Sequence, residues 1–561
     1  MHDLLIEGAR VVDGTGAPAH VGNVAVKDGR IVAIGPDTGP ARERVRAEGR
    51  VLAPGIIDLH THYDAQLIWD AFATPSVRLG VTSVVIGNCG FTIAPCRAQD
   101  RSRTLRNLTH VEGMSLEALE AGVQWEFESY AQYLDMLQRK GLVPNVASLV
   151  GHSSVRTYVL GEEASSRAAT REEVARMKQI VAQALREGAV GFSTSTLEQH
   201  NGENGIPMPS RLADDHEMLE LTAALGEVGK GVFQITKGMK TGIDWLENIA
   251  ARNGRPAMIA AMFVDPNDPR RVFDEFAQID AARARGRELW GHVTCFPLGM
   301  EFTLRHPYPL EALLAWRPAI VAEGSDAYRA VLADPAFRAA VKAEARTTSV
   351  PNRFSYHSLE HMTIMAVEQE RHRDLVGRNV AGLARDAGKD PFDWFLDFGL
   401  DDELDAMVDC KLFNTDEDAV RDLIRQPNGQ ITLSDAGAHL SFLCDAGFGL
   451  HLLSHWVRER GDFTLEQAVQ AITSRPADLY RIPDRGRLAP GAWADMILFD
   501  AETVGRGEKR RVWDLPAGAS RVDTPALGLH GVWVNGARVV DERGPVEDAG
   551  RPGHLLREFH A

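Results

Sequence analysis

Long hydrophobic runs are missing from this sequence. The purest, Ala257–Val264, covers eight residues, whereas a membrane-spanning helix needs roughly 20. The first ten residues, M-H-D-L-L-I-E-G-A-R, place charges where a secretory leader needs an apolar block. Neither export nor a membrane partner is expected. Cysteine is scarce too: five residues, an odd number without regular spacing, disfavour a disulfide framework and point to a reducing cytoplasm. Positive charge falls short, with 61 Lys+Arg against 78 Asp+Glu and a net charge of −17. That balance excludes partners that need clustered cations, nucleic acid above all. It leaves a small anionic substrate open, because such a molecule responds to the local field of its pocket. There is no Gly-x-Gly-x-x-Gly after a strand, no Walker loop and no Gly-x-Ser-x-Gly elbow, which removes the usual nucleotide-binding and serine-hydrolase readings.

What is present is a chain of 561 residues with 44% hydrophobic and 25% charged residues, an ordinary globular composition that fits one large domain plus an accessory one. A homo-oligomer is compatible with it. The two ends of the chain read alike. Leu4–Val12 and Val24–Ile34 are rich in β-branched residues, with Asp28-Gly29 as a hairpin turn. Asp495–Phe499 and Val532–Val540 repeat that character near the other end, the second carrying Asn535-Gly536. We therefore expect residues 1–53 and 487–545 to form one small β-domain.

Between them, eight apolar runs end on polar or glycine residues: Gly55–Asp64, Val81–Gly90, Asn145–His152, Ala189–Thr196, Gly231–Lys237, Ala257–Asp265, Glu288–Pro297 and Gln430–His439. Helical periodicity separates most of them, as in Arg171–Glu187 and Asp214–Val228. Eight strands alternating with helices give an α/β fold, a (β/α)8 TIM-like barrel over residues 54–486. The stretch 298–429 is too long for one connection. It implies an insertion near 298–360, with Leu304–Arg353 as a lid or flap.

Reactive side chains of such barrels stand at the C-terminal ends of the strands. The first run ends Asp58-Leu59-His60-Thr61-His62, and residues two apart on a strand share a face, so His60 and His62 present two imidazoles together. The pair suits Zn2+. With 19 histidines in the chain, about 0.6 such H-x-H pairs arise by chance, so position rather than pattern gives this one its weight. The second run ends Gly87-Asn88-Cys89-Gly90, where Cys89 is either a small buried hydrophobe or a thiolate in the barrel mouth. The last ends Ser434-Asp435-Ala436-Gly437-Ala438-His439, where Asp435 is either a helix N-cap or a metal-bound or base carboxylate. His152, Lys237 and His292 stand near the ends of the third, fifth and seventh runs, and Arg156 follows His152. His451/His455 and His357/His361 have i, i+4 spacing but read as packing pairs.

The sequence Ala53-Pro54-Gly55-Ile56-Ile57-Asp58-Leu59-His60-Thr61-His62-Tyr63-Asp64 resembles the metal-dependent amidohydrolase superfamily. Gly87–Pro95, Gly151-His152-Ser153, Gly188–Thr194, Ser434-Asp435 and Gly486–Asp495 extend the likeness along nearly the whole chain. Within the superfamily, Asn88-Cys89-Gly90 points to the D-aminoacylase (N-acyl-D-amino-acid deacylase) group, where a cysteine at this place is a metal ligand. The resemblance also brings out a departure. That group carries metal-binding histidines at the ends of strands five and six, and here Thr236 takes the first place while Ala257–Phe263 contains no histidine.

Together these readings imply a hydrolase of linear amides, with an N-acyl-D-amino acid as substrate. One Zn2+ per chain is expected on His60, His62, Cys89 and Asp435, with Asp435 also moving the proton. A substrate carboxylate would be met by Lys237 or Arg156, with His152 and His292 as further substrate-binding candidates. The rivals are a cyclic-amide hydrolase on the same barrel and a non-catalytic binding protein with a degraded metal site.

Overall fold

The computed structural model describes residues 1–36, 38–347, 354–441 and 443–560. They form two compact units: residues 1–262, 278–295 and 427–561 in one, residues 263–277 and 296–426 in the other.

The first unit holds eight parallel strands: β1 (Ile56–Asp58), β2 (Val81–Ile86), β3 (Asn145–Gly151), β4 (Gly191–Ser195), β5 (Val232–Thr236), β6 (Ala257–Ala260), β7 (Leu289–Val293) and β8 (Gly429–Ile431). They pair in sequence order from β1 to β8. Just past β1 and β8 the two ends of the sheet meet: Thr61 bridges Ala436 in parallel, and the His62 N–H donates to Ala436 O at 2.7 Å. The expected (β/α)8 barrel is therefore present. Parallel strands covered on both faces read as near-continuous apolar runs, and β2, V-T-S-V-V-I, is buried throughout. One apolar cluster unites Ile57, Val85, Leu149, Val190, Val232 and Met258 from six strand regions. Leu556 and Phe559 of the C-terminal tail pack against it. That tail bonds the start of β3 (Val146 N–H to His554 O, 2.9 Å), so it lies at the end of the strands opposite to His60 and His62.

Helix Arg171–Glu187 follows from its sequence. Thr170 and Glu173 close a capping box at its start, and Gly188 ends it with φ 113°. The expected start of the next helix at Asp214 is its N-cap, whose side chain accepts from the Glu217 N–H, and the helix itself spans Asp215–Val228.

The chain ends share one sheet. Strand Met496–Phe499 lies antiparallel to Val51–Pro54, joining the N-terminal strands from His2 onward to the C-terminal strands up to Pro545. Both hairpin signals are realised: Asp28-Gly29 and Asn535-Gly536 each have two consecutive positive φ angles, as a type I′ turn requires. The turns abut. A Cβ on Gly29 would stand 2.8 Å from Asn535 O, and one on Gly536 would stand 3.0 Å from Gly29 Cα.

The second unit carries a three-stranded antiparallel sheet, with Met407–Phe413 between Leu298–Phe302 and Met362–Ala366. Helices such as Pro335–Ala345 and Pro391–Asp401 accompany it. Of the Leu304–Arg353 stretch, residues 348–353 lie outside the described residues. Among the described residues no helix is long and apolar enough to cross a membrane.

Candidate metal centre

The chain leaves β1 through Asp58, whose fully buried carboxylate accepts from Ser434 Oγ, Thr432 Oγ1 (3.1 Å) and the His60 N–H (3.2 Å). Burial pushes this carboxyl up to about 7 against those hydrogen bonds. Asp58 thereby ties β1 to the segment after β8 and fixes the approach to His60 and His62, which are 1% and 6% exposed. After β2 the chain turns sharply through Gly87 (φ 82°), Cys89 (φ 57°) and Gly90 (φ 80°). A Cβ on Gly87 would stand 2.6 Å from Leu149 O, so only glycine fits there. Asn88 pins the turn to Thr61 O and Val85 O, and the Cys89 N–H donates to Gln234 Oε1 at 2.9 Å.

The turn aims Cys89 Sγ at the imidazoles, 3.4 Å from His60 Nε2 and 3.9 Å from His62 Nε2. Asp435 Oδ1 stands 3.3 Å and 3.6 Å from the same two nitrogens. Asp435, at φ 48°, is a non-glycine residue in the left-handed region, as are Leu433 and His439 beside it, a cost of order 1 kcal/mol or more each. Among the described residues, His60, His62 and Cys89 are the one group of three potential ligands with all ligand atoms within 4.8 Å of one another. Asp435 joins it by reaching both imidazoles.

Two imidazole nitrogens, a sulfur and a carboxylate oxygen are the donor set that Zn2+ takes in a tetrahedral site. The electrostatics agree. Burial works against a charge on His62, but Glu112 Oε1, 3.1 Å from its Nδ1, and Asp435 together hold its pKa well above the usual value. His60, equally buried, is pushed well below it, with Asp435 only partly offsetting the burial. Burial alone would raise the Asp435 carboxyl, but the hydrogen bond from His62 and the charges of His60, His62 and His439 hold it far below the usual range. The Cys89 thiol is raised by burial. The negative charge that Asp435 and Glu112 bring against the two imidazoles is the charge a bound cation would balance.

The remaining sequence candidates separate. Lys237 stands half-buried directly after β5. Arg156 is fully buried, and its guanidinium donates to Glu217 Oε2, Ala164 O and Arg167 O, so its three nitrogens are engaged inside the fold. His152 is engaged likewise, with Nε2 2.8 Å from Glu217 Oε1 and Nδ1 2.8 Å from Thr194 Oγ1. Buried His292 lies behind His60, its Nδ1 3.4 Å from His60 Nδ1, and burial pushes its pKa down to about 3. Thr236 Oγ1 is 3.0 Å from Cys89 Sγ. His451 and His455 stack at 5.1 Å, the packing arrangement their spacing suggests. His357 and His361 bring their Nε2 atoms within 3.1 Å, with no third ligand gathered around them among the described residues.

Two residues escaped sequence reasoning. Glu112 is the last residue of helix Arg101–Glu112, 4% exposed, and nothing in its helical spacing links it to His62. His200 lies in the loop after β4, with Nδ1 2.6 Å from Ser195 Oγ and its ring edge-on to Phe91. Burial, with His439 and His62 nearby, pushes its pKa down to about 3. A histidine five residues past a strand end was the available signal.

The fold agrees with that of the chain's relatives. Residues 44–540 match the model of the amidohydrolase family. The N-acyl-D-glutamate deacylase of Alcaligenes xylosoxydans xylosoxydans is 29% identical over 567 residues, covering 99% of this chain and 96% of the relative. The D-aminoacylase of the same organism is 29% identical over 96% of this chain and 95% of its own length. Among solved structures, N-acyl-D-glutamate deacylase from Bordetella bronchiseptica, complexed with zinc and a phosphonate mimic of the tetrahedral intermediate, superimposes with TM-score 0.69 at 26% identity, covering 99% of this chain and all of that one. A D-aminoacylase described by its binuclear metal centre, with one-metal activation and second-metal attenuation, gives TM-score 0.67 at 25% identity, with both chains fully covered. With its barrel and a family match that spans most of its length, the chain belongs to the amidohydrolase family.

Proposed function

We propose that this protein is a zinc-dependent deacylase that hydrolyses the amide of an N-acyl-D-amino acid to a carboxylate and a free amino acid. The observation that carries the reading is the convergence of His60 Nε2, His62 Nε2, Cys89 Sγ and Asp435 Oδ1 at the C-terminal ends of β1, β2 and β8. These residues would hold one metal ion per chain. The β5 and β6 positions offer Thr236 and Met262, which are poor zinc ligands. When bound, Zn2+ supplies Lewis acidity, polarising the amide carbonyl and lowering the pKa of a water to about 7.

The chain's own groups do the rest. Asp435, its side chain 20% exposed while both histidines are closed off, receives the proton of the attacking water and returns it to the leaving nitrogen. Glu112 places a negative charge 3.1 Å from His62 Nδ1, on the side of the ring away from the centre, which Nε2 faces. Lys237 is the cation assigned to the substrate carboxylate, because Arg156 is committed to Glu217. We assign residues 1–53 and 487–545 to the small β-domain and 54–486 to the catalytic barrel. The five free, buried cysteines fit a cytoplasmic location.

The test is incubation of the purified protein with N-acyl-D, N-acyl-L and cyclic amides, with and without added Zn2+. Turnover of N-acyl-D substrates is the expected result. Turnover of cyclic amides alone would replace the substrate class, and no turnover of any would leave a binding protein.

A further inference from the structure

A histidine that binds a metal through one nitrogen carries its proton on the other, and that proton needs an acceptor. His62 has a carboxylate close by, with Glu112 Oε1 3.1 Å from its Nδ1. His60 does not. Its Nε2 faces Cys89 and Asp435, and its Nδ1 stands 3.4 Å from Nδ1 of another histidine, His292 on β7. Two facing ring nitrogens can share only one proton, so one ring donates and the other accepts. The pair therefore has two arrangements. With His60 Nε2 bare and ready to bind a metal, His60 donates from Nδ1 and His292 accepts, its own proton on Nε2. In the converse arrangement His292 donates from Nδ1, and His60 carries its proton on Nε2, where it blocks ligation.

The surroundings of His292 distinguish the two. Its ring is fully buried, and among the described residues its Nε2 has no hydrogen-bond partner. A buried N–H without an acceptor is rarer and less tolerated than a buried lone pair without a donor. The metal-free protein accordingly favours a bare His292 Nε2, which is the blocking arrangement.

We propose that His292 is the positioning residue of His60, and that metal binding switches the tautomers of the His60–His292 pair. On ligation one proton leaves His60 Nε2 and one arrives at His292 Nε2, both exchanged with water. The bridging proton passes from His292 Nδ1 to His60 Nδ1. Each ring holds one proton before and after, so the pair stays neutral. His60 then donates to a neutral imidazole, where His62 has the Glu112 carboxylate 3.1 Å from its Nδ1, which makes His60 the weaker of the two ligands.

This inference rests on the metal-centre reading, and the experiment separates their failures. Zn2+ affinity is measured by competition with a chromophoric chelator for the wild type, His292→Asn and His292→Phe. Asparagine keeps an acceptor near the Nδ1 position, and phenylalanine keeps only bulk. His292→Phe is expected to bind Zn2+ about 10–100-fold more weakly, with an altered visible spectrum in its Co2+ form, while His292→Asn recovers both. Equal affinity of His292→Phe and wild type, or equal loss in both variants, would overturn the proposal. The wild type decides if a variant does not fold. Nitrogen-15 spectra of labelled histidines should show His292 protonated at Nδ1 without Zn2+ and His60 protonated at Nδ1 with it, and an unchanged tautomer would contradict the switch. If the wild type takes up no Zn2+, the metal-centre reading fails. The metal-free spectrum still judges this one, because a His292 proton on Nε2 there would refute it.

Discussion

Two buried polar clusters share this barrel, and only one is closed. In the cluster at the end of β3, His152 and Arg156 each give a proton to one oxygen of Glu217, Thr194 takes the other nitrogen of His152, and backbone carbonyls take the rest of Arg156. Every side-chain nitrogen of the two has a partner. At the ends of β1, β2 and β8, by contrast, two imidazole nitrogens, a thiol and a carboxylate oxygen crowd within 3.3–3.9 Å contacts of one another. Four potential ligand atoms face one another there, and the protons they share occupy the place a cation would take. Buried polar groups of the first kind hold a fold together, and those of the second kind await a cation.

The largest effect should come from the open cluster. Asp435→Asn keeps the shape and removes the proton acceptor, so kcat should fall roughly 10²–10⁴-fold with little change in thermal stability. Steady-state kinetics beside a melting curve checks this, and a stability loss without a kinetic one would erase the distinction between the clusters.

The closed cluster should behave in the opposite way. Arg156→Met leaves Glu217 buried without its guanidinium and should cost about 3–5 kcal/mol of stability, while KM for an N-acyl-D-amino acid stays put. Lys237→Met should raise KM instead. The pH dependence follows from Glu217. Burial would raise its carboxyl, but His152 and Arg156 hold it below the usual 4.5. Its contribution is therefore complete above pH 4.5 and is lost as pH falls through the depressed folded value. Denaturant titrations between neutral pH and pH 3 should show that Glu217→Gln loses stability less steeply in acid than the wild type.

Smaller effects test what supports the open cluster. Glu112→Gln removes the carboxylate behind His62 and should weaken Zn2+ binding about 10–100-fold, read by chelator competition. Thr236→Val removes the hydroxyl 3.0 Å from Cys89 Sγ. Its effect on the same measurement should be about fivefold, the size of one hydrogen bond near 1 kcal/mol.

Much of this was legible in the sequence, for physical reasons. Strand ends are marked by the change from apolar to polar residues, so His60, His62, Cys89, Lys237 and Asp435 could be placed at the barrel mouth. Asn535-Gly536 and Asp28-Gly29 announced their hairpins because few other residues adopt two positive φ angles in succession. Side chains whose meaning lies in distant partners were not legible. Arg156 was read as a cation for the substrate carboxylate because Glu217, its partner in the interior, is 61 residues away. Glu112 ends a helix 50 residues beyond His62, with no periodicity to reveal the pairing. His292 was correctly read as near a strand end, but the sequence could not say that it faces the back of His60 rather than the substrate. The segment 263–277, between β6 and β7, likewise gave no sign that it belongs with residues 296–426.

The most direct measurement is the metal content of protein purified without chelator, together with its His60→Ala/His62→Ala variant. One zinc per chain in the wild type and none in the variant is the predicted result. Two tightly held metals per chain, or a metal retained when both histidines are gone, would contradict the single centre at His60, His62, Cys89 and Asp435.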